Sequence, residues 1–495
     1  MAFAITQTCC NDASCVAVCP VNCIHPTPDE PDFGSTDMLY VDPAACIDCG
    51  ACADACPVDA IFPVDSLTEP LRAYAGINAD YYRGREPVAN ADPAPNFHAW
   101  GPPSFTRAIP GDFPAPDVAV VGTGPAGMYA VEDLLLHTSA RVTLIDRLPV
   151  AGGLVRYGVA PDHPSTKKIG ETFARLHDHP RLRMKLGVQA GRDVTVAELA
   201  ERHDAVIYAV GASSARKLGI PGEDLPGSLA ATQVVAWYNG HPDVVADSVD
   251  LSAERVVLIG TGNVALDVAR ILTADPESLA VTSISPEALA RLRTGKVREV
   301  VLLARRGPEY AAYTSPELLA LTQEGGARLV VDTHDPRIAG TIDSATGGKA
   351  ALLRDVARET VDWSAPPEHG QRRIVLRFHS TPTEILGDRQ VRGTRVTDAG
   401  GETEIVAGQV IRAVGYRGAP VPGLPFDEET GTIPHTAGRV DAVPGAYVAG
   451  WIKRGPSGGI GANRACAGET VGTLLADITA GRLPVAPRRP FLRRR

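Results

Sequence analysis

With 495 residues, 44% of them apolar and 21% charged, the chain has ordinary globular composition. At roughly 150 residues per domain it should hold about three cores. No apolar window of about 18 residues runs uninterrupted, which argues against a membrane-spanning helix. Met1 to Thr8 lacks the basic start and apolar run of a secretory leader. A reducing cytoplasm is the expected compartment, where clustered cysteines bind metal or do redox work. The formal net charge of −10 is carried wholly by residues 1–65, which hold ten acids, Asp12, Asp37 and Asp59 among them, and no Lys or Arg. Such a segment either docks on a basic face or is a solvated acidic surface. Arg488, Arg489 and Arg493 to Arg495 read as a solvated tail, and nothing else points to nucleic acid.

Nine of the ten cysteines precede residue 57. They form two runs, Cys9-x2-Asp12-x2-Cys15-x3-Cys19-Pro20 and Cys46-x2-Cys49-x2-Cys52-x3-Cys56-Pro57. Soft thiolates at these spacings let a tight loop wrap the corner of an iron–sulfur cluster while backbone N–H groups point at sulfur. The pattern resembles the two-cluster bacterial ferredoxins, and the seven-iron type in particular, through about residue 86. The resemblance implies a β-α-β-β-α-β fold with crossed ligation, the fourth cysteine of each run serving the other cluster. Cys46, Cys49, Cys52 and Cys19 would then hold one [4Fe–4S] cluster, and Cys9, Cys15 and Cys56 a second. Asp12 stands where a full run has its second cysteine, and a carboxylate is the harder ligand. The second cluster is expected to be [3Fe–4S]; a [4Fe–4S] centre with Asp12 as ligand, or interconversion of the two, stays open. Cys10 and Cys23 read as non-ligands. The segment from Leu71 to Tyr82 resembles the helical extension of that family, and residues 87–116, with eight prolines, read as a semi-extended linker. Phe97, Trp100 and Phe105 suggest that this linker lies on a domain surface.

Next comes an apolar strand, Val118 to Val121, running into Gly122-Thr-Gly124-Pro-Ala126-Gly127 and a helical stretch to about Leu136. The glycines permit the tight turn and let a pyrophosphate approach the backbone at the helix N-terminus. A second strand, Arg141 to Asp146, ends in an acid 24 residues after Gly122, suited to a ribose hydroxyl. The runs Gly153-Leu-Val-Arg-Tyr-Gly-Val-Ala-Pro-Asp-His163 and Gly450-Trp451-Ile-Lys-Arg-Gly-Pro-Ser-Gly458-Gly459-Ile460 are similar to segments of adrenodoxin-reductase-type ferredoxin–NADP reductases. That resemblance spans residues 117–480. It implies FAD at this first turn, contacted by Ala126, Asp146, Leu154 and Ala190, with Trp451 and Gly458 to Ile460 covering the flavin.

A second turn, Gly260-Thr-Gly262-Asn263-Val264-Ala265, follows the strand from Val256 and opens a helix over Leu266 to Leu272. The next strand, Val300 to Ala304, ends in Arg305-Arg306 where an NAD site would place an acid. Paired guanidiniums suit a 2′-phosphate through forked, charge-assisted hydrogen bonds, so NADP is preferred to NAD. The resemblance adds Glu317 and Gly458 as contacts to the nicotinamide nucleotide. Relatives carry another acid three positions after that glutamate, whereas this chain has Ala320, which weakens any acid pairing with His163. His163 is a catalytic candidate or a purely structural residue.

The expected architecture is an α+β ferredoxin-like domain (1–86), a linker (87–116) and an α/β reductase of two Rossmann-like domains. Of these, 117–214 with 416–495 would bind FAD, and 215–415 would bind NADP. The chain thus resembles a mycobacterial-type fusion of ferredoxin and ferredoxin–NADP reductase. This implies hydride transfer from NADPH to FAD, then single electrons to the clusters and on to an external acceptor, a ferredoxin or a cytochrome P450 system. Two other readings are a glutamate-synthase small-subunit type of electron-input module and a non-catalytic electron carrier.

Overall fold

The computed structural model describes residues 2–85, 107, 109, 113–324, 326–367 and 370–483. Strand Phe3–Ile5 pairs antiparallel with Ile61–Pro63, and Ile24–His25 pairs antiparallel with Tyr40–Val41. Helices Ser14–Val18 and Ala51–Ala55 lie between the strands of each half. This is the β-α-β-β-α-β order expected of residues 1–86. The extension forms a short 3-10 turn, Glu69–Leu71, and the helix Ala73–Tyr81. Asn78 on that helix accepts the N–H groups of Ile5 and Val41 and donates to the Ile5 carbonyl, pinning the helix across both halves.

Two parallel sheets follow. Strands Asp117–Val121, Arg141–Asp146, Leu182–Leu186, Ala205–Tyr208 and Ala446–Val448 make a five-stranded sheet with Asp117–Val121 in the middle. Its three inner strands, Asp117–Val121, Arg141–Asp146 and Ala205–Tyr208, are nearly continuous buried apolar runs, as befits a parallel sheet packed on both faces. Helix Pro125–His137 packs against the long helix Ala462–Thr479 on one of them. The second sheet has seven parallel strands between Ser228 and Arg412, with Arg255–Ile259 and Glu299–Leu303 adjacent at its centre. A three-stranded antiparallel sheet, Thr381–Gly387, Val391–Asp398 and Gly401–Val406, accompanies it. The chain passes between the two large sheets twice, at Ser214–Ala215 and Tyr416–Arg417, and these pair as an antiparallel ribbon. The second glycine turn leads into a helix over Asn263–Thr273, which starts three residues before the expected Leu266, because the turn's own N–H groups open its first turn.

The N-terminal module and the five-stranded domain share one apolar core. Ile5, Cys15, Val41 and Tyr74 belong to the same buried cluster as Val118, Met128, Leu134 and Val471. Of the linker, Phe97, Trp100 and Phe105 lie outside the described residues. Arg107 is described, and its guanidinium donates to Asp133 (2.7 Å) and to the Gly468 carbonyl, tying the chain to the two packed helices.

Candidate functional site

The two cysteine runs repeat with an offset of 37 residues (46 − 9, 52 − 15, 56 − 19), and so does their backbone. Asn11 and Asp48, Ala13 and Gly50, and Asn22 and Asp59 all take positive φ. In each half the left-handed residue before the short helix turns the loop, so that the first three ligand positions face one cavity. The fourth sulfur accepts a backbone N–H four residues on: Cys23 N to Cys19 Sγ (3.4 Å) and Ala60 N to Cys56 Sγ (3.2 Å). Cys9, Asp12, Cys15 and Cys56 line one cavity with Cys10, while Cys19, Cys46, Cys49 and Cys52 line the other with Cys23. The crossed grouping is thus present in space. Burial pushes the Cys9 and Cys52 thiols up to about 11 and raises Cys15 and Cys56. Converging thiols, of which Cys15, Cys19 and Cys52 are buried, with no Lys or Arg among residues 1–65 suit a cationic iron core, which compensates the thiolates on binding.

Cys23 is not neutral towards its neighbour. Its Sγ lies 3.4 Å from Cys19 Sγ; this contact brings the Cys19 thiol down to about 6 and pushes that of Cys23 well up. Asp12 is engaged elsewhere: its carboxylate accepts from the Ser14 N–H (3.3 Å) and hydroxyl, and pairs with Arg464 Nη1 at 3.3 Å. Arg464 belongs to helix Ala462–Thr479 of the five-stranded domain and also donates to Ser14 Oγ at 2.6 Å. The acidic module makes a second ion pair outward, Asp59 with Lys168. Asp37 accepts the N–H of Ser315 (2.8 Å) at the start of helix Ser315–Glu324, where a carboxylate complements the helix dipole.

The two glycine turns match each other in detail. Gly122 (φ +112) and Gly260 (φ +119) end the first strand of their sheets, and a Cβ at either would lie 2.3 or 2.4 Å from a carbonyl oxygen, of Ala209 or Ala413. A Cβ on Gly127 would fall 1.9 Å from Gly122 O. Gly124 and Gly262, by contrast, face open space, leaving room for a phosphate above the helix N-terminus. Ala126 is buried on the first helix, and Leu154 sits on helix Gly153–Tyr157 against this turn, where a Cβ on Gly153 would meet Gly124 Cα at 2.7 Å. The Asp146 carboxylate holds the turn itself: one oxygen accepts from Thr123 N (2.8 Å) and Thr123 Oγ1 (2.6 Å), the other from Leu148 N (2.9 Å). Ala190 packs against the apolar cluster of Val121, Ile145 and Tyr208 under the same strand ends. Trp451 donates to the carbonyls of Ser457 and Gly458 (both 3.1 Å), and Asn463 donates to Gly459 O (2.9 Å), shaping the loop through Ile460. The Trp451 ring leans on Tyr416 at 5.3 Å.

At the second turn, Asn263 accepts the N–H of Thr314 (2.8 Å) and donates to its hydroxyl (3.2 Å), joining the turn to the loop that carries Glu317. Val264 is half-buried one residue on. Arg305 and Arg306 are exposed just beyond strand Glu299–Leu303, and among the described residues neither has an ion-pair partner. The Arg306 guanidinium lies over the Tyr310 ring at 5.7 Å.

Between the two turns lies a charged node of which the sequence patterns named only His163 and Glu317. His163 Nε2 is 3.2 Å from Asp267 Oδ1, 2.6 Å from Arg270 Nη2 and 4.0 Å from Glu317 Oε2. Arg270 also donates to both oxygens of Asp162 (2.7 and 3.1 Å). An acid does sit beside His163, but it is Asp267, on the helix after the second glycine turn, and not the position of the buried Ala320. Burial would lower the imidazole, but the Asp267 hydrogen bond and charge outweigh it and hold His163 above its ordinary value. Burial, with the Asp267 charge nearby, pushes the Glu317 carboxyl up to about 7. His163, Asp267 and Glu317 are close enough to share a metal ion, yet the Arg270 guanidinium already supplies the cation they surround.

Two glycine turns on two parallel sheets, joined to paired cysteine cavities, define a flavin- and pyridine-nucleotide-dependent oxidoreductase with an iron–sulfur module. Residues 116–307 match the pyridine nucleotide-disulphide oxidoreductase family, and residues 39–62 match the 4Fe-4S binding domain. A probable ferredoxin/ferredoxin–NADP reductase of Mycobacterium tuberculosis is 48% identical over 98% of this chain and 86% of its own length. The human mitochondrial NADPH:adrenodoxin oxidoreductase is 39% identical over 78% of this chain and 84% of its own. The structure of Mycobacterium tuberculosis FprA in complex with NADPH superposes with a TM-score of 0.69 at 42% identity, covering 76% of this chain and 87% of that one. The chain belongs to the ferredoxin/ferredoxin–NADP reductase family. It is an oxidoreductase of that type, and FAD, NADP(H) and a [4Fe–4S] cluster are its redox groups. No helix among the described residues is long and apolar enough to cross a membrane.

Proposed function

We propose that this chain carries electrons from NADPH to an external one-electron acceptor through one flavin site and two cluster sites in a single polypeptide. The observation that carries the reading is the sorting of the ligand residues into two separate cavities, in a chain that also bears two open glycine turns. When bound, FAD accepts electrons in pairs from a nicotinamide and yields them singly, as one-electron centres require. Gly122, Gly124 and Gly127 would take its pyrophosphate, with Ala126, Leu154 and Ala190 beside it and Trp451 with Gly458 to Ile460 over the ring. Asp146 would orient the turn and face the ribose. Gly260, Gly262, Asn263 and Val264 would take the pyrophosphate of NADPH, Arg305 and Arg306 its 2′-phosphate, and Glu317 and Gly458 its nicotinamide end. His163, held by Asp267 and Arg270, would set the approach of the two halves; its bonding supports a positioning role, since hydride transfer needs alignment more than a protein acid or base.

For the clusters we assign Cys19, Cys46, Cys49 and Cys52 to the [4Fe–4S] centre and Cys9, Cys15 and Cys56 to a [3Fe–4S] centre. The three-iron reading is supported by Asp12, whose carboxylate is held by Ser14 and Arg464. An external ferredoxin or a haem protein of the cytochrome P450 class would suit as acceptor. Anaerobic removal of iron by a chelator tests the reading. NADPH should still drive reduction of ferricyanide, which takes electrons from the flavin, while reduction of a protein acceptor such as cytochrome c is lost. Equal loss of both activities would contradict a flavin site that works ahead of the clusters.

A further inference from the structure

We infer that Gly461 is the electron input contact of the N-terminal module, which makes the Cys9–Cys15–Cys56 site the inner, first-reduced centre and the Cys46–Cys49–Cys52 site the outer one. The inference rests on the proposed function and adds an order to it. Gly461 directly follows Ile460, the last residue of the loop assigned to cover the flavin. Its N–H donates to the carbonyl of Cys10 at 2.9 Å. A Cβ placed on Gly461 would lie 2.3 Å from Asn11 C, Asn11 O and Asp12 N alike. Peptide 10–12 therefore lies backbone to backbone on this glycine, and no side chain fits between them. That peptide joins two of the ligand cysteines, Cys9 and Cys15. Three residues on, Arg464 reaches across to Asp12 and Ser14 and fixes the same segment laterally.

The other half turns outward. Cys49 is exposed and Ile47 is 57% exposed, although the equivalent position in the first half, Cys10, is packed against the shared core. The two halves share the same ligand spacing, short helix and positive-φ positions, so their local fold does not distinguish inner from outer; the Gly461 contact does. Electrons balance along this order. One NADPH gives up a hydride and leaves NADP+; the pair passes singly through the inner and then the outer site to two oxidised acceptors. The products are NADP+, one proton and two reduced acceptors.

Three variants of the full holoenzyme test the order. In Gly461→Ala the added methyl must push peptide 10–12 away. NADPH should bleach the flavin at the wild-type rate, while cluster reduction followed by rapid-freeze EPR slows by about tenfold or more, since small misplacements of reacting groups cost up to about a hundredfold. Amide exchange of residues 10–14, the segment the methyl displaces, should quicken. Lys168→Ala, which removes the exposed ion pair to Asp59, should change cluster reduction by less than about threefold. In Cys15→Ser the outer cluster should still be reduced by dithionite but no longer by NADPH. An outer cluster reduced by NADPH as fast as in wild type would overturn the order, as would wild-type cluster kinetics in Gly461→Ala with quickened exchange. If NADPH fails to bleach the flavin of the wild-type protein, the proposed function itself fails, and the two failures are told apart by that first step.

Discussion

Replacing Arg305 and Arg306 together by alanine should separate NADPH from NADH. Both side chains are exposed at the end of strand Glu299–Leu303, next to the strand that opens the second glycine turn. Neither has an ion-pair partner among the described residues, and truncation costs only the exposed Arg306–Tyr310 ring contact, so the effect should fall chiefly on the nucleotide. A hydrogen bond between charged groups is worth about 1.5–3 kcal/mol. Exposure and salt screening favour the low end, giving about 2–3 kcal/mol for the pair. At 1.36 kcal/mol per factor of ten this is a fall of about 30- to 150-fold in kcat/KM for NADPH. NADH lacks the 2′-phosphate and should change by less than about threefold, because only general electrostatic attraction is lost. Steady-state ferricyanide reduction with each nucleotide reads both numbers, and raising the salt should shrink the difference. A parallel fall with NADH would refute the assignment and make the pair a structural strand end.

Gly127→Ala would bring a methyl to 1.9 Å from Gly122 O, a clash with backbone that cannot turn aside, and purified protein should contain little flavin by its absorbance ratio. Glu317→Gln should flatten part of the pH dependence of stability. Because the folded-state carboxyl is raised to about 7 from 4.5, its contribution is full below 4.5 and is lost as pH rises to about 7. The melting temperature of the variant should therefore gain on wild type between pH 5 and pH 8 (a span of about 3 units), and a constant offset would contradict the burial argument. Arg464→Ala frees one side of Asp12, so the oxidised protein should take up iron more readily on anaerobic incubation with ferrous ion, with a weaker three-iron EPR signal. An unchanged signal would show that Ser14 alone holds the carboxylate.

The parts of this molecule legible in its sequence are those whose chemistry is local. A cluster loop is a matter of cysteine spacing, and a phosphate turn needs glycines where a Cβ would strike a carbonyl, so both cavities and both turns were readable. The strand over Arg141–Asp146 runs as expected for the same reason, an apolar stretch closed by an acid. What was not legible is what distant segments bring together. Asp267 and Arg270 look like ordinary polar positions on an amphipathic helix, and only packing against the Asp162–His163 loop makes them a node. The missing acid at Ala320 was a real signal, but its replacement came from a residue about fifty positions earlier in sequence (320 − 267). Gly461 was one glycine among 49 in the chain, and nothing in its neighbourhood announces the peptide lying against it. Asp12 was singled out by register, yet its hold on Arg464, 452 residues away, could not be.

The proposed electron path turns on one chain containing an NADPH-reducible flavin in electronic contact with two different clusters. An anaerobic titration of the purified holoenzyme with NADPH, followed at once by absorbance and EPR, measures this directly. Flavin and cluster signals should both respond within one protein molecule, with about four electrons taken up in all, two by the flavin and one by each cluster. The oxidised sample should show a three-iron signal that NADPH abolishes. A titration that ends at about two electrons with the cluster signals untouched would contradict that path, leaving a reductase and a ferredoxin that share a chain but not a current.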